Sequence, residues 1–149
     1  MKPNSTVAQD TLRLLVIEDN EIDREIVRRA FRKSGMPCEM AVAPDGGSAI
    51  DLMLGDDDHT PLEKPYIVLL DMDMPGVDGH EFLAEIRSDP QLRRTVIFVL
   101  TGALRESDTE HCYDQCVAGV LFKSAFSEDP ESVVEMLTRY WQLVQLPHE

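Results

Sequence analysis

The stretch Val68-Leu69-Leu70-Asp71-Met72-Asp73-Met74-Pro75-Gly76 constrains the fold of this chain more than any other. An apolar run ends abruptly in a carboxylate and a Pro-Gly breaker follows, which places Asp71 where a buried strand meets solvent. Open α/β sheets keep their chemistry at such strand ends. The remaining sequence supplies the residues that can converge on Asp71.

Leu12 to Ile17 is a nearly all-apolar run, as fits a strand covered on both faces in a parallel sheet, and it ends in Glu18-Asp19-Asn20. Ile22, Ile26, Ala30 and Phe31 follow at helical spacing, with Gly35 as a stop. Cys38 to Ala43 reads as a weaker strand. Pro44-Asp45-Gly46-Gly47 then turns into a helix carrying Ala49, Ile50, Met53 and Leu54 on one side. Gly55 to Pro65 is a loop whose Asp56-Asp57-Asp58-His59 run reads as a solvated turn rather than a metal site.

The third strand is Tyr66 to Leu70, and Gly79 to Arg87 forms a helix with Phe82, Leu83 and Ile86 inward, closed by Ser88-Asp89-Pro90. Thr95 to Leu100 is a strand ending in Thr101-Gly102, and a polar helix of roughly Arg105 to Cys116 follows it. Ala118 to Phe122 is a fifth strand ending in Lys123. Ser127-Glu128-Asp129-Pro130 starts a last helix bearing Val133, Val134, Leu137, Tyr140, Trp141 and Val144. Five strands alternating with five helices predict a doubly wound, five-stranded parallel sheet. The expected organisation is a flexible N-terminus over 1–10, one domain over 11–146 and a short tail over 147–149.

Composition removes several functions. With 14 Lys and Arg against 28 Asp and Glu, the net charge of −14 repels a phosphate backbone, which argues against direct nucleic-acid binding. No apolar run reaches the roughly 18 residues of a membrane span, and Met1 to Asp10 lacks the apolar core of a signal peptide, so a cytoplasmic protein is expected. Cys38, Cys112 and Cys116 are odd in number and read as reduced, partly buried thiols.

Four strands end in polar residues: Glu18 and Asp19, then Asp71, then Thr101, then Lys123. A parallel sheet lines these ends along one edge. Three carboxylates gathered there repel one another unless a hard cation sits among them, which suits magnesium. Thr101 offers a hydroxyl donor and Lys123 a movable point charge suited to phosphate. Read singly, each residue has a plainer role: Glu18 or Asp19 capping the first helix, Lys123 snorkelling, Thr101 ending a strand. Asp71 is harder to dismiss, because a carboxylate directly after an apolar strand is expensive without a partner.

In combination these residues resemble the receiver domain of two-component response regulators over about Leu12 to Val144. The motifs are the acidic pair after the first strand, Leu-Leu-Asp-x-x-Met-Pro-Gly-x-Asp-Gly from Leu69 to Gly79, Thr101 and Lys123. The resemblance implies a flavodoxin-like sheet of order 2-1-3-4-5. It implies Asp71 as the phosphoacceptor, charged by a sensor histidine kinase or phosphotransfer protein. Asp19 and Asp71 would bind Mg2+ directly, Glu18 mainly through bound water, and Asp73 through its backbone carbonyl. Lys123 and Thr101 would contact the phosphoryl group, and Gly102 would leave room for it.

Two positions depart from the family pattern. Ser124 stands where proline usually follows the lysine, and Val120 stands where an aromatic switch residue is usual. Phe122 is expected on the opposite side by strand alternation, and so not to replace it. With no attached output module expected, the signal is expected to leave through a surface, by shifts of the loops after the third and fourth strands that alter the face carrying the last two helices. The apolar run from Tyr140 to Pro147 suits either core or an interface anchor. The long loop before the third strand, the Ser88-Asp89-Pro90 turn and the Tyr-Trp followed by Leu-Pro ending are similar to regulators paired with bacterial phytochrome kinases. That similarity implies a homodimer through the last helix.

Two other readings compete with a non-enzymatic regulator. Val68 to Asp73 also fits the first motif of haloacid-dehalogenase-type phosphatases, with Asp71 as nucleophile and Asp73 as general acid; against this, that motif normally ends the first strand. Val120 and Ser124 suggest a receiver-like scaffold that is never phosphorylated, against which stands the intact acid cluster.

Overall fold

Alternation of side chains along buried strands decides how this sequence layers. The computed structural model describes residues 11–74, 79–102 and 106–148. The expected flexible segment 1–10 and the Pro75-Gly76-Val77-Asp78 part of the central motif lie outside the described residues. Five strands, β1 (Leu12–Ile17), β2 (Cys38–Ala43), β3 (Ile67–Asp71), β4 (Val96–Thr101) and β5 (Gly119–Phe122), form one sheet. Its order is β2-β1-β3-β4-β5 and every pairing is parallel, as expected.

Each central strand feeds two cores. Leu15, Ile17, Val68, Leu70, Ile97 and Val99 point to one face, where they meet Ala49, Met53, Phe82, Leu83, Ile86 and Cys112. Leu14, Val16, Ile67, Leu69, Phe98 and Leu100 point to the other, where they meet Val27, Ala30, Phe31, Phe126, Val134, Leu137 and Trp141. The uninterrupted apolar runs are therefore strands with both faces covered.

The helices on the first face are α2 (Gly46–Leu54), α3 (Gly79–Ser88) and α4 (Glu106–Asp114); those on the second are α1 (Glu21–Ser34), α5 (Lys123–Glu128) and α6 (Pro130–Leu143). Gly35 ends α1 with φ of 71°, a left-handed turn that costs glycine little. Asp45 caps α2 by accepting from Ser48 N at 2.7 Å. Gly55, after α2, has φ of 79°, and a Cβ there would sit 2.7 Å from Pro61 Cδ, so this turn also requires glycine.

Several expectations need correction. The described residues hold six helices, because the segment after β5 splits into α5 and α6. Pro130 is the cause: it lacks an N–H and cannot extend α5, but its fixed φ suits the first turn of a new helix. Ile22 is 72% exposed, and Val27 takes the inward place beside Ala30 and Phe31. Leu54 is likewise exposed at the end of α2.

Phe122 does not face away from Val120: residues two apart on a strand share a side, and Phe122 is 65% exposed on the side where Val120 packs. Trp141 is core, at 2% exposure, as are Leu137 and Leu146, whereas Leu143 is 77% exposed. The cis peptide bond among the described residues is Lys64–Pro65, not one after Lys123.

Candidate functional site

The sheet order sets β1 beside β3 and β3 beside β4. Ile17 pairs with Leu70, so Glu18 and Asp19 leave β1 alongside Asp71. Asp71 pairs with Leu100, and Thr101 pairs with Phe122, so Thr101 and Lys123 leave their strands along the same edge. Helix α1 is capped by Asn20, whose Oδ1 accepts from Ile22 N at 2.8 Å and Asp23 N at 3.1 Å. The capping place is therefore taken by Asn20, while Glu18 Oε1 accepts from the Asn20 N–H at 3.1 Å.

Glu18 and Asp71 are 2% and 1% exposed. Lys123 Nζ donates to Asp71 Oδ2 at 3.0 Å and to Asp23 Oδ2 at 3.0 Å, and lies 3.3 Å from Glu18 Oε2. Asp23 was not among the residues expected at the site. Its signal was position: a carboxylate in the first turn of the helix that follows an acidic strand end.

The electrostatics follow from this crowding. Burial first, and then the hydrogen bond to Asp71, push the Glu18 carboxyl up to about 8, against the pull of Lys123. Burial works to lower Lys123, but its hydrogen bonds to Asp71 and Asp23 outweigh burial and hold the ammonium above its ordinary value. One oxygen each of Glu18, Asp19 and Asp71 lie within 4.8 Å of one another. This set of hard oxygen donors suits a divalent cation, whose charge would draw the Glu18 carboxyl back to its ionised form.

Thr101 is fully buried, yet its Oγ1 has no hydrogen-bond partner among the described residues. A buried hydroxyl left unmet at a strand end is a donor open to an acceptor. The next residue, Gly102, donates its N–H to Asp73 Oδ2 at 2.6 Å, while Asp73 N donates to Asp71 Oδ1 at 2.9 Å. The side chain of Asp73 is therefore engaged with the end of β4, a role the sequence had not suggested.

Residues 14–138 match the family model of the response regulator receiver domain. The chain belongs to the response-regulator receiver family. It is 34% identical to the probable methanogenesis regulatory protein FilR2 of Methanothrix harundinacea, over 90% of this chain and 86% of that protein. It is 30% identical to response regulator Rcp1 of Synechocystis, over 90% of this chain and 92% of Rcp1. Among solved structures it resembles the phosphorylated cyanobacterial phytochrome response regulator RcpA, with a TM-score of 0.74 and 29% identity over 92% of this chain and 99% of that one. The bacteriophytochrome response regulator AtBRR gives a TM-score of 0.70 at 28% identity, over 91% and 98%. Rcp1 has also been crystallised with Mn2+, its structure matching this receiver with a TM-score of 0.74 at 29% identity over 91% of this chain and 99% of that one.

The receiver's sheet is that of its family, and phosphorylation on an aspartate is the family mechanism. Receivers are generally signalling modules that interact with histidine kinases or phosphotransfer proteins. No helix among the described residues is long and apolar enough to cross a membrane. Cys38 is half-buried and Cys112 buried, whereas Cys116 is exposed and not partly buried as expected; burial pushes the Cys38 thiol up to about 11. The Asp56 to His59 run is a turn closed on itself, Asp56 Oδ1 accepting from Asp58 N and His59 N at 2.8 and 2.7 Å.

Proposed function

We propose that Asp71 accepts a phosphoryl group from a phosphohistidine on a sensor histidine kinase or phosphotransfer protein, and that this receiver signals through a protein–protein surface without turning over a substrate. The observation that carries this reading is the meeting, at adjoining strand ends, of a buried carboxylate, a lysine 3.0 Å away and a buried threonine hydroxyl without a partner among the described residues. An Asp71 oxygen attacks phosphorus, the phosphorus–nitrogen bond to the donor imidazole breaks, and the imidazole keeps the electron pair. Lys123 steadies one Asp71 oxygen and the Asp73 N–H the other, which fixes the carboxylate plane before attack. As charge develops, Lys123 follows it onto the transferred group, and the Thr101 hydroxyl gains the acceptor it lacks.

Glu18, Asp19, Asp71 and the backbone carbonyl of Asp73 would hold Mg2+, which when bound neutralises charge on the transferring group. We assign the donor to the phytochrome type of kinase, on the strength of the likeness to Rcp1, RcpA and AtBRR. We also propose a homodimer through the C-terminal helix region, supported by the exposed Leu143 on α6. The charge argument against nucleic acid and the assignment to the cytoplasm stand as part of the same proposal.

Incubation with acetyl phosphate and Mg2+, followed by intact-mass measurement, tests the central claim. Wild type is expected to gain one phosphoryl group and Asp71→Asn none. No gain by wild type sinks the phosphoacceptor reading and leaves the unphosphorylated scaffold. Sustained turnover of p-nitrophenyl phosphate that is lost in Asp73→Asn would instead revive the phosphatase.

A further inference from the structure

Two donors follow one another at the end of β4: the Thr101 hydroxyl, which has no partner among the described residues, and the Gly102 N–H, which is already held by a carboxylate at 2.6 Å. The carboxylate belongs to Asp73, whose own N–H is 2.9 Å from Asp71 Oδ1. Among the described residues, a Cβ built on Gly102 meets this oxygen at 3.2 Å, so Asp73 closes over the Gly102 backbone. One residue thus touches Asp71 through its backbone and the neighbouring strand end through its side chain.

We propose that the Asp73 side chain is a resident anion on the Gly102 amide, and that a phosphoryl group on Asp71 has to displace it. Asp73 then sets how readily this receiver enters its phosphorylated state. The inference rests on Asp71 being the acceptor. A dianion on Asp71 and the Asp73 carboxylate cannot share one N–H, and a second negative charge in a site that already holds Glu18, Asp19 and Asp23 is repelled. Displacement releases the one side-chain hydrogen bond described between the loop after β3 and Gly102, residues 29 apart in the chain. The unphosphorylated state is held by Asp73 on Gly102, and the phosphorylated state by the phosphoryl group on Thr101 and Gly102. Asp73 is a positioning residue in this account, since it exchanges no bond in the transfer.

The test is a titration with beryllium fluoride in the presence of MgCl2, followed by the amide NMR signal of Gly102, on wild type, Asp73→Asn, Asp73→Ala and Asp71→Asn. Removing the competing charge is expected to tighten beryllofluoride binding by about tenfold in Asp73→Asn and Asp73→Ala, the size of one charge-assisted hydrogen bond. In the ligand-free variants the Gly102 amide is expected to move upfield. A purely structural clasp predicts weaker or unchanged binding, and either result in Asp73→Asn, which keeps the side-chain shape, overturns the inference. If wild type binds and the Asp73 variants bind no tighter, the latch fails and the acceptor reading stands. If no variant binds, both fall.

Discussion

Lys123 Nζ and Asp71 Oδ2 lie 3.0 Å apart, although the two residues are separated by 52 positions in the chain. The contact depends on two register relations, Asp71 with Leu100 and Thr101 with Phe122, which carry both side chains off their strands at one sheet edge. Lys123 also binds Asp23, so it ties the start of α1 to the end of β5. Replacing it with glutamine keeps the stem and removes the charge. Lys123→Gln is expected to slow mass gain from acetyl phosphate by about 100-fold, the usual scale for losing one preorganised charge-stabilising donor. A time course within threefold of wild type would place the charge stabilisation elsewhere.

Glu18 gives the protein a pH dependence of definite sign. Its ordinary value is 4.5, and burial with the Asp71 hydrogen bond raises it to about 8 in the folded state. Between these values the folded protein holds a proton that the unfolded chain has released. Stability of the metal-free protein therefore falls as pH rises from about 4.5 to about 8 and levels off above. A divalent cation needs the ionised form, so its affinity rises across the same window. Thermal melts in EDTA between pH 5 and 8 are expected to show this slope in wild type and to lose it in Glu18→Gln; equal slopes would refute the assignment.

Arg87 fastens the end of α4 to the turn before β4. Its guanidinium donates to the carbonyls of Gln115, Arg93, Thr95 and Cys116 at 2.7 to 3.1 Å. Arg87→Met leaves four acceptors unmet and is expected to cost about 3 kcal/mol in a denaturant titration. Arg87→Lys is expected to recover only part of that, because an ammonium cannot reproduce the planar fork.

Two neighbours on the last helix have opposite fates. Trp141 is buried against the sheet, and Trp141→Ala is expected to cost about 3–5 kcal/mol. Leu143 is exposed, and Leu143→Glu is expected to change stability by no more than about 0.5 kcal/mol while weakening self-association in light scattering. Truncation after Tyr140 is a poor probe of the dimer, since it also removes Trp141 and Leu146 from the core. A wild-type monomer at high concentration would refute the dimer.

The sequence by itself determined the sheet and one side of its chemistry. Apolar runs long enough to be covered on both faces, each ending in a polar residue, leave a parallel sheet with its site along one edge, and they name Glu18, Asp19, Asp71, Thr101 and Lys123. What they do not carry is direction and distance. Ile22 fits an apolar stripe yet is exposed in the first turn of α1, where Val27, a turn further on, takes the buried place. Tyr140, Trp141 and Leu143 look alike as a sequence, and only packing sends Trp141 inward and Leu143 out. Asp23 reads as a surface charge until Lys123 reaches it across a hundred residues. Asp73 reads as part of a motif until its side chain is found on Gly102. Local pattern specifies which residues are apolar and where strands stop; which carboxylate meets which donor is settled only when distant strand ends are brought to within one hydrogen bond of each other.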